Sequence, residues 1–372
     1  MIKMKRLIIA AVFLFIAGLP ASLFAGEFRD LGQDYRSLAM GNTGIASANN
    51  SSALFYNPAT LSNIYNWWFD FPMLEVTASS ESMALYGQAK TGSFNLETQD
   101  EQFDFMRDFI GQNPYIKFRL GSNIFFNVLK QGMSVGANYT YEAVLDIQVR
   151  NPSLPTLDAF ARLDHVRQAG ISIPMAMGRF ILGVVRKQIE RKEVAFNYGM
   201  SDAIDEVPFP TMDTDGKSGA GEGYDVGFIF RTASKSRIQI GGVYRQEIDL
   251  QDATKIPKEI AFGASMVHNF GNLRFTGAVD LRDITSELTP DDKTNYNRRL
   301  RYGAELGLFP LSRNTTMFSF RTGYSNGYPS TGVEMYFGHA MIIGYTRYIE
   351  ETGEYAGQNP SSRQVAYASF GF

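Results

Sequence analysis

Long segments of this chain alternate between apolar and polar residues with a period of two. In 272–282, one face carries the apolar set and glycine, and the other carries polar residues: Leu273, Phe275, Gly277, Val279 and Leu281 against Asn272, Arg274, Thr276, Asp280 and Arg282. The same pattern recurs in 135–148 and 301–308. Strands of soluble sandwiches are usually about 5 to 6 residues long, so alternation over about 11 to 14 residues favours strands that cross a membrane. The pattern predicts an all-β transmembrane antiparallel β-barrel with an apolar outer face and a wet lumen.

The composition agrees with such a barrel. The chain has 29 Phe, 19 Tyr and 35 Gly, yet its mean hydropathy is only −0.16. Beyond the first residues, no apolar run reaches the roughly 20 residues that a spanning helix needs, which excludes a helical membrane protein. Strands that alternate lipid-facing and lumen-facing residues average to a mild hydropathy. Two soluble domains are the competing interpretation that length alone allows.

The first 25 residues predict a cleaved signal peptide. Three cationic residues within 1–6 precede an apolar stretch over 7–19, and small residues up to Ala25 offer a cleavage site. The apolar stretch is too short for a spanning helix, which needs about 20 residues. We therefore expect three parts: a signal peptide at 1–25, an N-terminal hatch or plug at 26–66, and a barrel at 67–372.

Candidate connections between strands alternate in length. Tight joins lie near 130–131, 174–178, 233–236, 269–271, 310–314 and 338–339, and longer joins lie at about 91–114, 149–158, 196–221, 251–257, 285–297, 326–330 and 350–362. Short periplasmic turns and longer extracellular loops are typical of an up-and-down outer-membrane barrel. The pattern predicts fourteen strands with both termini in the periplasm. This count requires that 67–90 forms one long first strand, bent at Ser79 and Ser80, because two strands there would give fifteen.

The chain ends in a strand-like pattern. Phe370 and Phe372 share one face of 364–372. This resembles the aromatic-ended last strand that the bacterial barrel-assembly machinery recognises. The resemblance implies that this machinery and outer-membrane lipid are partners, and that the protein is integral to the bacterial outer membrane.

The segment before Trp67 is not strand-like. It is rich in glycine, alanine, serine and asparagine, so it can form a compact plug within a lumen. Ser51 or Ser52 can cap a short helical turn, and Pro58 would end that turn while biasing Asn57 toward an extended conformation.

Two stretches of the chain resemble a known family. The run RSLAMGNTGIASANNSSALFYNPATLS, within 35–63, resembles the N-terminal hatch of the FadL/TodX family of outer-membrane transporters for long-chain fatty acids and other hydrophobic compounds, and equally that of its PorV-like relatives. Asn57, Pro58 and Ala59 match the hatch motif of the family. The stretch 322–372 resembles the last strands of this group, more closely those of the PorV-like branch.

The resemblance implies a fourteen-stranded barrel with an N-terminal plug. It also implies passive uptake of a hydrophobic small molecule or lipid, with Asn57, Pro58 and Ala59 as the gate and with lateral release through the wall. PorV-like relatives instead serve as partners of a secretion system that moves proteins to the cell surface, and this alternative stays open. A general diffusion porin is disfavoured, because a filled lumen would block ions.

A candidate ligand-binding segment lies in the first long join. Residues 97–112 read as an amphipathic helix whose apolar members recur at helical spacing: Phe103, Phe105, Met106, Phe109 and Ile110. One interpretation is an exposed groove that captures an apolar molecule. The other is a lid helix that packs on the barrel rim. Charged residues within strands are expected to line the lumen and pair there: Arg119, Glu142, Arg245, Asp280, Arg301, Glu305 and Arg321.

No pattern in the sequence indicates catalysis. The chain has no cysteine, and its histidines, His165, His268 and His339, form no recognisable catalytic arrangement. The segment 213–217 resembles part of a calcium loop, but position 224 is Tyr224 where a glutamate is required, so an acidic turn is favoured. We expect no enzymatic activity, no catalytic residue, no cofactor and no metal site. A formal charge of −3 is too balanced for a nucleic-acid partner.

Overall fold

The computed structural model describes residues 31–64, 67–82, 86, 99–128, 133–150, 155–205, 207, 210–234, 236–287, 299–312, 315–338, 340–352 and 359–371. The strands of these residues are β1 Trp67–Ser79, β2 Tyr115–Asn127, β3 Ser134–Arg150, β4 Thr156–Met175, β5 Phe180–Gly199, β6 Lys217–Arg231, β7 Arg237–Arg245, β8 Ile248–Leu250, β9 Ala253–Ile256, β10 Glu259–Phe270, β11 Leu273–Leu281, β12 Leu300–Pro310, β13 Thr316–Ser325, β14 Tyr328–Phe337, β15 Met341–Glu351 and β16 Pro360–Gly371. The helices are α1 Tyr35–Ala39, α2 Ala53–Tyr56, α3 Gln99–Asp108 and α4 Met200–Ile204, with 3₁₀ turns at Pro58–Asn63 and Ala176–Gly178.

Fourteen of these strands form one closed antiparallel barrel, in which each strand pairs with its neighbours along the chain. The cylinder closes where β1 pairs with β16, for example Met73 with Ser369 and Ser79 with Arg363. β8 and β9 form a separate two-stranded hairpin. The predicted fourteen-stranded barrel is confirmed. Closure matters physically because it leaves no strand edge whose backbone groups would lack partners in lipid.

The predicted alternation corresponds to the two faces of the wall. In β11, Arg274, Thr276 and Asp280 are buried toward the interior, whereas Leu273 and Phe275 lie on the outer face. Large apolar side chains are likewise exposed on the outside of other strands, such as Phe262, Phe320 and Phe370. An apolar outer face with charged residues inside is the arrangement of a barrel that spans a membrane.

The first strand is shorter than predicted. β1 ends at Ser79, and Ser82 and Tyr86 have helical backbone, so the expected continuation to Lys90 is wrong. The Ser79 hydroxyl oxygen accepts from the Ser82 and Tyr115 backbone N–H groups at 3.3 and 3.0 Å, which stabilises a turn at this point. Fourteen strands remain, because β1 pairs directly with β2 and β16.

Joins at the two ends of the barrel alternate as predicted, with exceptions in length. We call the end with joins 128–133, 176–179, 232–236, 271–272, 311–315 and 338–340 the turn end, and the opposite end the loop end. At the loop end, the joins 151–155 and 326–327 are shorter than predicted. The second is a two-residue turn in which Asn326 and Gly327 have φ of 54° and 92°. Asn-Gly adopts this left-handed turn readily, so the flanking strands extend up to it.

Residues 31–64, which we call the luminal segment, lie inside the cylinder, and most of their side chains are buried. Asp34 caps α1 by accepting from the Ser37 backbone N–H at 3.2 Å. Ser52 occupies the position before α2 but makes no capping hydrogen bond. Asn57 ends α2 in an extended conformation, with φ −159° and ψ 113°, which confirms the effect predicted for Pro58.

No helix among the described residues is long and apolar enough to cross a membrane. The predicted signal peptide at 1–25, His339 and Phe372 lie outside the described residues. The boundaries predicted for the three parts of the chain therefore stay predictions.

Candidate functional site

The side chain of Asn57 joins the luminal segment to the barrel wall. Its Nδ2 donates to the carbonyl oxygens of Ile45 at 2.8 Å, Phe228 at 3.2 Å and Gly242 at 3.4 Å. Its Oδ1 accepts from the Ala59 backbone N–H at 3.0 Å. One buried amide thus holds two parts of the luminal segment together and ties both to neighbouring strands.

Glycines of the wall make room for the Asn57–Pro58–Ala59 motif. A Cβ at Gly183 would overlap the Pro58–Ala59 peptide, and a Cβ at Gly227 would overlap the Asn57 side chain. Glycine within a strand allows another backbone to approach closely. Ala59 also packs with Ile181 and Ile229 in a small buried cluster. The three residues of the predicted gate therefore rest directly on the wall of β5 and β6.

A second contact binds the turn at 44–46. The Asp280 carboxylate on β11 accepts from the Gly44 and Ile45 backbone N–H groups at 2.6 and 2.9 Å. The Ser265 hydroxyl on β10 donates to the Ala46 carbonyl at 2.8 Å. Paired N–H groups on a carboxylate form strong, charge-assisted hydrogen bonds.

The opposite side of the luminal segment is held by ion pairs. Arg36 lies 3.2 Å from Glu305, and Arg321 bridges Glu305 and Glu334 at 2.6 Å each. The Tyr35 hydroxyl also donates to Glu334. Glu305 and Arg321 were predicted to line the lumen, but their partner on the luminal segment was not readable from the sequence.

The other predicted lumen charges face the interior, and two of them, Arg119 and Arg245, contact the luminal segment. Arg119 donates to the Gln33 carbonyl at 2.8 Å and lies over the Phe55 ring at 5.0 Å. Arg245 donates to the Tyr56 carbonyl at 3.0 Å. Arg301 is buried, and Glu142 pairs with Arg162 at 2.7 Å. The predicted lumen-facing placement of these charges is confirmed.

Two small cavities lie beside the luminal segment. Each has a volume of about 10 Å³, roughly room for one water molecule. One is lined by Arg36, Asn63 and Gln239 among others, and the second by Leu38 and Asn42 among others. A solute larger than water could enter these spaces only if the luminal segment shifted.

The predicted ligand-binding segment packs onto the barrel. Phe105, Met106 and Phe109 of the α3 region are buried in one cluster with side chains of β3, β4 and β5: Ile147, Val149, Leu157 and Tyr198. Ile110 packs against this cluster and forms an isolated bridge with Val149. Phe103 lies in α3, but its side chain is outside the described residues. This is the packing that the lid interpretation predicts, and ligand capture by these residues stays a prediction.

The carboxylates of the acidic turn at 213–217 contact nearby side chains and backbone. Asp213 pairs with Lys192 at 2.6 Å, and Asp215 accepts from the Thr211 backbone N–H at 3.0 Å. Hydrogen bonds from the Thr214 hydroxyl and the Thr211 N–H lower the pKa of Asp215 below its usual value. Among the described residues, no three acidic or histidine side chains are grouped so as to hold a metal ion.

Solved structures with a similar fold include toluene transporters and a monoaromatic hydrocarbon channel. The toluene transporter TbuX of Ralstonia pickettii superposes with a TM-score of 0.55 at 12% identity, over 92% of this chain and 98% of that chain. The monoaromatic hydrocarbon channel CymD superposes with a TM-score of 0.54 at 13% identity, over 93% of this chain and 98% of that chain. The toluene transporter TodX of P. putida superposes with a TM-score of 0.52 at 12% identity, over 93% of this chain and 99% of that chain.

This chain has the fold of the TodX-type channels. The predicted resemblance to the FadL/TodX group is thereby confirmed at the level of the fold. No family model and no curated protein sequence matches the chain.

Sequence analysis missed the wall glycines against which other parts of the chain pack, the luminal segment at Gly227 and residues 248–251 at Gly219, Gly221 and Gly223. A usable signal was present in β6, where glycines recur at alternate positions: Gly219, Gly221, Gly223 and Gly227. Alternate positions share one face of a strand, so these residues mark a stripe that carries a side chain only at Asp225. Such a stripe indicates close approach of another part of the chain.

Proposed function

We propose that this chain is an outer-membrane channel for passive uptake of hydrophobic small molecules, gated by the luminal segment. The observation that carries the proposal is the filled lumen, in which the Asn57 amide bonds the segment to Phe228 and Gly242. The shared fold with channels named for toluene and monoaromatic hydrocarbons supports it. Apolar solutes have little affinity for an open aqueous pore, whereas a plug that shifts can admit them without leakage of ions.

The contacts at the gate suit a reversible shift. Each neutral hydrogen bond contributes about 0.5–1.5 kcal/mol net, so the few bonds of Asn57 can be exchanged for others without unfolding the wall. Because Gly183 and Gly227 carry no side chain, the 57–59 turn meets no wall side chain at these two positions, which favours a small displacement. The gate would be Asn57, Pro58 and Ala59.

Capture would occur at the loop end. In this proposal the apolar face of Phe103, Phe105, Met106, Phe109 and Ile110 receives the solute when α3 lifts from the ends of β3–β5. The solute then passes the luminal segment and leaves laterally through the wall into the membrane. Long-chain fatty acids and monoaromatic hydrocarbons are both candidate substrates.

A liposome experiment tests this function. The full chain, reconstituted in liposomes, is expected to accelerate entry of radiolabelled toluene or oleate while leaving glucose entry unchanged. Equal entry of every solute with and without protein would contradict uptake. Deletion of residues 35–62 is expected to produce ion leakage in planar bilayers, and unchanged conductance would reject gating.

A point substitution tests gating where the deletion fails to fold. Gly227→Ala places a methyl group against the Asn57 side chain, so we expect a several-fold increase in ion conductance. Gly277→Ala is the matched control, because a Cβ there would lie 3.5 Å from Phe275, an ordinary contact. Equal conductance of the two variants would argue against a gate at Asn57.

A second candidate function is that of a PorV-like partner of a protein secretion system. β4 and β5 have 20 residues each, beyond the roughly 9–11 that cross a bilayer. Their outer faces carry exposed ion pairs near the middle of the strands, Arg167 with Glu190 at 3.3 Å and Arg186 with Glu222. A polar outer surface of this kind suits a protein partner. Co-purification of one recurrent protein, lost on charge reversal of Arg167 and Arg186, would favour this function over uptake.

A further inference from the structure

The inner wall of the barrel carries an apolar patch next to paired charges. We define it as Val166 of β4, Val185 and Ile189 of β5, and Val243 of β7, each at most 4% exposed. Val166 lies opposite Ile189 in the strand register. All four belong to one buried cluster with apolar residues of the luminal segment, including Leu54 and Tyr56. The patch therefore extends from the wall toward the gate.

The β8–β9 hairpin, residues 248–256, packs into the same buried cluster. Its side chains Ile248, Leu250 and Ala253 are buried in the same cluster. The hairpin lies against the inner face of β6, where a Cβ at Gly223 would lie 2.6 Å from Ile248 Cγ1. A Cβ at Gly219 would overlap the Leu250 carbonyl. The join between β7 and β10 is thus folded into the barrel rather than away from it.

The hairpin is attached to the wall by local contacts. β8 and β9 pair with each other and belong to no other sheet of the described chain. Arg191 donates to the Thr254 carbonyl at 3.0 Å, and the Glu193 carboxylate accepts from the Thr254 N–H and hydroxyl at 2.6 and 2.5 Å. The hairpin can therefore move without breaking a barrel hydrogen bond between strands.

The cations nearest the patch are neutralised by carboxylates of the wall. Lys187 pairs with Asp225, Arg191 with Asp164 at 2.8 Å, and Arg245 with Glu259. A carboxylate ligand would have to break one of these buried pairs, which is costly. A neutral apolar ligand would replace the side chains of Ile248, Leu250 and Ala253. It would break the Thr254 hydrogen bonds to Arg191 and Glu193 but leave the three ion pairs intact.

We propose that the patch of Val166, Val185, Ile189 and Val243 is a binding site for a neutral apolar small molecule, and that the 248–256 hairpin is its cover. This inference rests on the proposed uptake function and narrows its substrate class. The ligand takes the place of the hairpin on β5 and β7, adjacent to Leu54 and Tyr56 above the gate.

Photolabelling of the full chain in liposomes tests the site. The probe is 3-trifluoromethyl-3-phenyldiazirine, a small neutral aromatic compound, and labelled residues are mapped by mass spectrometry. We expect labelling of Val185 and Ile189 that excess toluene reduces at least fivefold and that decanoate leaves unchanged. Val184, the neighbour on the outer face, is the internal control, because its labelling from lipid should not saturate. Competition by decanoate equal to that by toluene would overturn the neutral substrate class.

A cross-link tests the cover, and the absence of native cysteine makes it specific. The double variant Glu193→Cys with Thr254→Cys is joined by a short bis-methanethiosulfonate linker, which should abolish Val185 labelling until a reductant restores it. The double variant Lys192→Cys with Asp213→Cys is the matched control, since this exposed pair is outside the lumen. Linking it should leave the labelling of Val185 unchanged. Equal Val185 labelling before and after linking at 193 and 254 would overturn the cover.

Failure of this site and failure of the proposed function give different results. Toluene uptake without saturable labelling of Val185 would reject the site and leave uptake standing. Saturable labelling without uptake would support the site and reject transport.

Discussion

The side-chain amide of Asn57 donates to the carbonyl oxygen of Phe228 at 3.2 Å, across 171 positions of the chain. The same amide reaches Gly242 on the adjacent strand and Ile45 within the luminal segment. Asn57 is fully buried, and these hydrogen bonds would be lost if the segment left the lumen. The position of the luminal segment is therefore coupled to the β6–β7 part of the wall.

Replacement of Asn57 should loosen the luminal segment. Asn57→Ala removes the donor to three carbonyl groups and the acceptor of the Ala59 N–H. Leaving buried polar groups unpaired costs about 1–3 kcal/mol per group, so we expect faster hydrogen exchange of the Ala59 amide and higher ion conductance. Asn197→Ala is the control, because the Asn197 amide is exposed and donates to Asp158 at the loop end. The same exchange rate in both variants would contradict the anchoring role.

The Asp280 carboxylate should anchor the turn at 44–46. Asp280→Ala leaves the Gly44 and Ile45 N–H groups without their acceptor, which should accelerate exchange of both amides by about tenfold or more. Asp280→Asn keeps one oxygen acceptor and should show a smaller effect. Protection of Gly44 and Ile45 unchanged in Asp280→Ala would show that other contacts hold this turn.

Charge within the α3 cluster should separate the two interpretations of this helix. Phe105→Asp with Phe109→Asp places carboxylates among Ile147, Val149 and Leu157, where burial of an unpaired charge is strongly unfavourable. We expect α3 to detach, and uptake of apolar substrates to fall if these residues capture them. Asp104→Ala, at an exposed position of the same helix, is the control. Unchanged uptake of every apolar substrate in the double variant would reject capture and leave a lid.

Phe372 should matter for assembly rather than for transport. Phe372→Ala removes an aromatic side chain two positions after Phe370, a pattern that resembles the strand read by the barrel-assembly machinery. We expect less folded protein in the outer membrane, measured as the heat-modifiable band on gels, and unchanged uptake per folded molecule after refolding in liposomes. Normal membrane levels of Phe372→Ala would contradict this partner.

The class of fold was readable from the sequence because strand alternation is a local property. The polar residues Arg274, Thr276 and Asp280 stand at even positions and the apolar residues Leu273 and Phe275 at odd positions, and a strand places even and odd positions on opposite faces. The extended backbone before Pro58 was readable for a similar reason, since proline restricts the residue that precedes it. The short Asn326–Gly327 turn was also readable from its residue types, although the spacing of the strands predicted a longer join at 326–330.

Contacts within the lumen were decided by the tertiary structure. Arg36 meets Glu305 across 269 positions, and nothing local distinguishes Glu305 from other charges of the wall. The inward direction of the 248–256 hairpin depends on Gly219 and Gly223, whose missing side chains leave room on another strand. The sequence alone determined the two faces of the wall, because alternation along a strand is local. What fills the lumen was decided by the tertiary structure, because closure of the cylinder brings distant parts of the chain together.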